Sequence, residues 1–310
     1  MSKRKNKNTE KKIISFTLVC IVVIFGIFGI KNSEIQKISN KTELENTVNT
    51  SSSNVSENNS TNGNLTVYFI DVGQADSILI SGNNKNMLID AGTNEEGPKV
   101  LKFIKEKGIN KLDYVVGTHP HEDHIGGLDD VINSDLQIDK VLMPKIQTNT
   151  KTFEDVLDAI QKKGLKITAP KKGDKYNLGD ANLEVMTDSI ENSKNLNLSS
   201  ITLLMTYGKN KFLFMGDAEK ENEQTVIWPK VDVLKVGHHG SKTSSSQDFL
   251  NQTKPKYSVI MAGKGNSYGL PKQEVLDRLN KIGSKIYRTD ENGTITMVSN
   301  GEQISITTEK

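Results

Sequence analysis

The stretch "THPHEDHIGG", Thr118–Gly127, holds three of the chain's five histidines, interleaved with an aspartate. The other two, His238 and His239, are adjacent in "GHHGS", Gly237–Ser241. Structural histidines scatter; these form two tight clusters, as two sides of one site would. His119 and His121 are two residues apart, so an extended or turning backbone can aim both rings at one ion. Asp123 and His124 follow with a carboxylate and a third imidazole. Nitrogen and oxygen donors without sulfur suit Zn²⁺, Mn²⁺ or Fe²⁺. Four donors in six residues exceed what one ion uses with tolerable geometry, so two ions sharing the loop is the simpler reading.

Working outward, each cluster follows a strand pattern. "LTVYFIDV", "DSILIS" and "NMLIDAG" read as three successive strands, and "PKVLKFIKEKG" as an amphipathic helix opened by Pro98 and closed by Gly108. "LDYVVGT" is a buried strand that runs straight into the first cluster. "TFEDVLDAIQKKG" is a second helix. "SITLLMTYG" and "KFLFMGD" pair as a hairpin across Lys209-Asn210, and "VDVLKVG" leads into the second cluster. "YSVIMAG", the helix "KQEVLDRLNKIG" and the strands "KIYRT", "TITMVS" and "QISITT" complete the body. Strands in runs with helices between them suit an α+β fold of two sheets packed face to face, with helices outside. Loops at strand ends, held by a rigid sheet, are where binding groups sit.

The chain divides into four segments. Residues 1–12 carry six basic side chains against Glu10. Residues 13–30 have no charge, and eighteen helical residues span about 27 Å, enough to cross a bilayer core. This segment reads as a transmembrane anchor, the alternative being a cleaved signal peptide. Basic residues before the span favour a cytoplasmic N-terminus and an extracellular body, tethered to the cell membrane by a single pass or secreted after cleavage. Residues 31–64 are rich in Ser, Asn and Thr and read as a disordered linker. Residues 65–310 are the folded body. The only cysteine, Cys20, lies in the apolar segment, so the body has neither disulfide nor thiolate ligand.

Hydrophobic residues are 35% of the chain, a low share whose shortfall lies in the first 64 residues. Without the six basic and one acidic side chains of 1–12, and the three basic and four acidic of 31–64, the body keeps 31 basic and 33 acidic groups. A net charge of −2 is not the footprint of a strong non-specific nucleic-acid binder. Bound divalent ions would change the local field, so a nucleic-acid substrate is weakened and not excluded.

The pattern His119-x-His121-x-Asp123-His124-x-Gly-Gly resembles the metallo-β-lactamase superfamily. "FIDVGQADSILI", "MLIDAG", "THPHEDHIGGL", "KFLFMGDAE" and "LKVGHHGSKTSSS" stand in the order seen in its ComEC-like branch, the metallo-hydrolase domain of DNA-uptake proteins and its stand-alone relatives. The resemblance runs from about Leu65 to about Gly293. It implies an αββα four-layer sandwich and two divalent ions, Zn or Mn. His119 and His121 would hold the first ion, Asp123 and His124 the second, with Asp217 bridging and His238 completing the second site. Asp90 would accept a hydrogen bond from a ligand histidine, and Asp71 would support the site. Adjacent strand residues face opposite ways, so His239 is expected to contact substrate or support the loop, acting with Asp123 and Asp217 in catalysis. Ser241, Lys242 and Ser244 either donate to phosphate oxygens or form a solvated loop.

There are departures. Many members have a further histidine between the first motif and the bridging aspartate; here Asn197 and Ser200, in "NLSS", match the branch's Asn-x-x-Ser. Leu270 stands where the branch commonly has histidine, and Ala75 where glycine is common. The resemblance implies hydrolysis of a phosphodiester, foremost DNA. The alternatives are a cell-envelope or small-molecule phosphoester, and a degenerate metal-binding surface module without turnover. A single apolar segment does not make a DNA channel.

Overall fold

The computed structural model describes residues 63–190 and 193–310. The expected tail, anchor and nearly all of the linker lie outside the described residues. Among the described residues, no helix is long and apolar enough to cross a membrane.

Two sheets form. The first has eight strands in the order Ile304–Thr308, Ile295–Ser299, Leu65–Phe69, Ser77–Gly82, Lys85–Ala91, Lys111–Val116, Gln137–Leu142, Ile167–Thr168. The second has seven: Lys285–Arg288, Tyr257–Ile260, Val233–Lys235, Asn210–Phe214, Leu203–Tyr207, Ala181–Val185, Lys175–Leu178. The expected hairpin is present, but its turn is Gly208-Lys209, because Asn210 pairs with Tyr207. Glycine at φ +57° supplies the left-handed first turn position that a two-residue hairpin favours.

Side-chain alternation sorts the strands into layers. Val67, Phe69, Ile78, Ile80, Met87 and Ile89 meet Leu203, Met205, Phe212, Phe214, Val233 and Val259 between the sheets. The intervening Ile70, Leu79 and Leu88 face outward, onto Val100, Ile104, Leu128, Val131 and Val156. These come from the helices Gly97–Glu106, Leu128–Asn133 and Lys151–Lys162. On the other side, Leu213, Met215 and Leu234 pack against Phe249, Leu250, Val275 and Leu279 of the helices Gln247–Thr253 and Gln273–Lys281. Three apolar interfaces therefore separate four layers, helix, sheet, sheet, helix.

Both sheets contain a parallel block: Lys85–Ala91 with Lys111–Val116 and Gln137–Leu142, and Asn210–Phe214 with Val233–Lys235 and Tyr257–Ile260. The segments at their carboxyl ends carry Asp90, Thr118–His124, Asp217, His238–His239 and Met261. Such strand ends are where ligands bind in sheets of this kind.

Candidate metal centre

The first cluster folds as a short loop and one helical turn, Glu122–Ile125. His121 has extended backbone and its carbonyl accepts from the His124 and Ile125 N–H groups. This turn carries Asp123 and His124 to the side that His119 and His121 face. Gly126 and Gly127 let the turn sit against the first sheet: a Cβ at Gly127 would overlap the Ala91 carbonyl and the Gly97 backbone. Asp90 anchors the loop start. Its Oδ1 accepts from the Thr118 N–H at 2.8 Å and its Oδ2 from the Thr118 hydroxyl at 2.7 Å.

Donor atoms gather around Asp217, which is buried. Its Oδ1 lies 3.2 Å from His124 Nε2 and 3.7 Å from His239 Nε2. The Asp123 Oδ2 is 3.2 Å from His239 Nε2 and 3.9 Å from His124 Nε2. Two donors each ~2.1 Å from a tetrahedral ion stand about 3.4 Å apart, so these separations fit one ion. The other Asp217 oxygen, Oδ2, is 3.9 Å from His119 Nε2 and 3.6 Å from His238 Nε2. His119 Nε2 and His121 Nδ1 approach to 3.0 Å. His124 Nε2, His239 Nε2 and Asp217 Oδ1 are buried and make no hydrogen bond. Buried polar atoms are rarely left so, and three converging on one point fit a cation.

The opposite ring nitrogens are held. His124 Nδ1 lies 2.8 Å from Asp90 Oδ2, and His239 Nδ1 2.9 Å from the Met261 carbonyl. Each partner accepts a proton on Nδ1 and leaves Nε2 as the metal-facing atom.

The local charges set the four rings apart as two pairs. Burial keeps the His119 ring well below the usual histidine range and also lowers His121. Both therefore stay neutral, the form that binds metal. Burial works against charge on His239 too, but the Asp217, Asp76 and Asp123 carboxylates outweigh it and hold its pKa up at about 10. His124 is raised likewise, burial being overcome by Asp217, Asp123 and Asp90. Burial alone would raise Asp123 and Asp217; the His124 and His239 rings outweigh it and hold both well below the carboxylate range.

Two expectations are corrected. His239, and not His238, stands with Asp123 and His124. The premise of strand alternation fails because Val233–Lys235 has already ended; His238 and His239 both have left-handed backbone, φ +48° and +50°. Asp71 does not support the site: its carboxylate accepts from the Gly73 N–H and faces Lys310. The aspartate of "DVGQADS" that reaches the site is Asp76, which the sequence reading missed. Asp76 Oδ1 is 3.4 Å from His239 Nδ1, and Oδ2 is 3.8 Å from His124 Nδ1. Asp76 Oδ2 is also in close contact with Lys235 Nζ, a fully buried ammonium that donates to the Gly216 carbonyl at 3.2 Å. Glu219 was missed as well; its Oε1 is 3.1 Å from His238 Nδ1.

Ser200 and Asn197 lie beside the centre. The Ser200 hydroxyl accepts from the Asp217 N–H at 3.1 Å, and the Asn197 amide donates to Glu219 Oε1 at 3.1 Å. Ser241 bonds Thr243, and the Ser244 hydroxyl donates to the Gly237 carbonyl, so both act within their own loop. Lys242 is exposed. The centre opens into a cleft of about 550 Å³ whose walls include Gln74, Thr93, Tyr268 and Leu270.

The sequence description of the metallo-beta-lactamase superfamily matches residues 70–264. The chain belongs to that superfamily. Its members are generally metal-dependent hydrolases, typically binding two divalent ions, and the donor set above fits that pattern. Among curated superfamily relatives, the chain is 36% identical over 251 residues to ComE operon protein 3 of Bacillus subtilis strain 168, covering 74% of this chain and 32% of that protein. It is 28% identical to Recombination protein 2 of Haemophilus influenzae, covering 73% of this chain and 28% of that one. The chain thus spans about a third of the length of these relatives. Among solved structures, the metallo-beta-lactamase fold protein YhfI of Bacillus subtilis superposes with a TM-score of 0.51 at 11% identity, over 74% of this chain and 98% of that one. That likeness shows the superfamily fold.

Proposed function

We propose that this chain is a dinuclear metal-dependent phosphodiesterase that acts on DNA, tethered to the outer face of the cell membrane through residues 13–30. The observation that carries the reading is Asp217. Its Oδ1 lies near the His124 and His239 rings, which Asp123 also approaches, and its Oδ2 lies near the His119 and His238 rings. When bound, two divalent ions would polarise the phosphoryl group and supply a nucleophile at neutral pH.

The remaining work falls to the chain's own side chains. Asp217, Asp123, His124 and His239 would hold one ion, and His119 and His121 the other, with Asp217 shared. Asp90 and the Met261 carbonyl fix the tautomers of His124 and His239. Ser200 holds the Asp217 backbone in register. The cleft beside His121 and Asp123 is open, as a polymer substrate requires. The choice of DNA is supported by the resemblance to the metallo-hydrolase domain of DNA-uptake proteins and by the name of one relative, Recombination protein 2, over the same stretch that carries these residues.

The test is cleavage of single- and double-stranded DNA by the full chain with Mn²⁺ or Zn²⁺, beside Asp123→Ala. Metal-dependent cleavage lost in the variant supports the reading. Metal binding without cleavage of either DNA would sink the nuclease assignment and direct the search to envelope or small-molecule phosphoesters.

A further inference from the structure

We propose that His238 supplies the third protein nitrogen of the first metal position, in place of the histidine that this chain lacks between Gly127 and Asp217. The inference rests on the dinuclear reading and assigns the one histidine that reading leaves unused.

Four of the five histidines already have places, which leaves the first position with His119, His121 and one Asp217 oxygen. His238 Nε2 is 3.6 Å from that same oxygen, Oδ2, against 3.9 Å for His119 Nε2. Donors about 3.4 Å apart share a tetrahedral ion. The left-handed backbone at His238 and His239 makes the placement possible: successive rings face one centre, their centroids 6.2 Å apart. One ring serves each Asp217 oxygen.

The partner of the opposite nitrogen is the second observation. His238 Nδ1 lies 3.1 Å from Glu219 Oε1 and hydrogen-bonds the Thr243 hydroxyl, which itself donates to Glu219 Oε1. An acceptor on Nδ1 backed by a carboxylate leaves Nε2 as the lone-pair nitrogen, the usual support of a metal-binding histidine. Glu219 is itself buried and built in. Its Oε1 also accepts from Asn197 Nδ2 at 3.1 Å and the Thr243 hydroxyl at 3.0 Å, and its Oε2 from Asn195 Nδ2 at 3.0 Å. The Thr243 hydroxyl is also 3.2 Å from His238 Nδ1. Asn197 Nδ2 stands 3.3 Å from His238 Nδ1 and 3.4 Å from Nε2. The amide braces the ring, and an ion bound at Nε2 would take the place of its contact there. Asn197 thus acts through His238 and Glu219.

The test is Mn²⁺ titration of the full chain by calorimetry and electron paramagnetic resonance, comparing wild type, His238→Asn and Glu219→Gln. Asparagine tolerates the left-handed backbone at 238, and Glu219→Gln keeps the size of the side chain. Far-UV circular dichroism of both variants in EDTA checks folding. The wild type is expected to bind two ions with a spin-coupled spectrum. His238→Asn should keep one ion at wild-type affinity, weaken the other at least 100-fold and give the spectrum of isolated Mn²⁺. Glu219→Gln should weaken that same ion about 10- to 100-fold, the usual effect of losing a histidine's supporting partner. Two ions bound by His238→Asn within threefold of wild type, still spin-coupled, would overturn the assignment. A wild type that binds fewer than two ions defeats the dinuclear reading, and this inference with it, whatever the variants do.

Discussion

Replacing Lys235 by methionine should cost the metal-free protein about 3–5 kcal/mol, the range seen when one partner of a buried ion pair is removed. The physical basis is specific. Lys235 is fully buried and Asp76 is 2% exposed, so water cannot solvate the carboxylate left behind. Burial pushes the Asp76 carboxyl up, and Lys235 is the foremost of the cations that pull it down, His239 and His124 following. Methionine fills the same volume but carries no charge, so packing is kept and only the pairing is lost. The remaining partners, His239 Nδ1 at 3.4 Å and His124 Nδ1 at 3.8 Å, are engaged by Met261 and Asp90, so they offset little. Lys235 also donates to the carbonyl of Gly216, the residue before Asp217, so the variant should weaken metal binding as well. The assay is urea denaturation in EDTA at pH 7, for wild type, Lys235→Met, and the double variant Asp76→Asn/Lys235→Met. The double variant should recover part of the loss, because it leaves no unpaired buried charge. A loss below about 1 kcal/mol for Lys235→Met, or a double variant less stable than the single, would refute the argument that this pair supports the centre.

Three further outcomes are expected. In EDTA, stability should fall as pH rises from 7 through 10: the His239 pKa is raised to about 10, so its contribution is full below its ordinary value of about 6.5 and is lost through 10. The depressed Asp123 and Asp217 carboxyls contribute above their ordinary value near 4 and lose that contribution on acidification. With Mn²⁺ present the alkaline loss should vanish and metal affinity should rise with pH, since the ion displaces the histidine protons; denaturation midpoints at pH 6, 8 and 10 check both signs. Asp90→Asn should weaken metal binding about 10- to 100-fold through the His124 tautomer, read by calorimetry against an unchanged circular dichroism spectrum. Phe212→Ala, between the two sheets, should destabilise by about 3–5 kcal/mol in urea denaturation while leaving metal stoichiometry intact in the folded protein.

The lead pair also marks how far a sequence can be read. Short-range patterns carry local geometry, so alternation and spacing place most strands and the donor loop His119–His124. The absence of cysteine from residues 65–310 limits the centre to nitrogen and oxygen donors. Several edge and connecting strands, such as Gln137–Leu142 and Lys175–Leu178, were not distinguished, because exposed polar residues dilute their alternation. The Gln-Ala-Asp run before Ser77 signals a polar turn and gives no hint that Asp76 is the buried member.

What the chain determined by itself was the chemistry: two clusters of hard donors at the ends of strands, with Asp217 and Asp90 picked out by the family resemblance. What only the tertiary structure decided was the assignment of partners. Asp76, just before a strand of the first sheet, and Lys235, in a strand of the second, meet only when the layers close. Asp71 and Asp76 share one turn, and the packing of that turn against His239 selects between them. His238 and His239 were separable only once the backbone was known, because two left-handed residues cancel the alternation a strand would impose. Local rules act over a few residues, whereas burial and ion pairing depend on what the rest of the chain brings alongside.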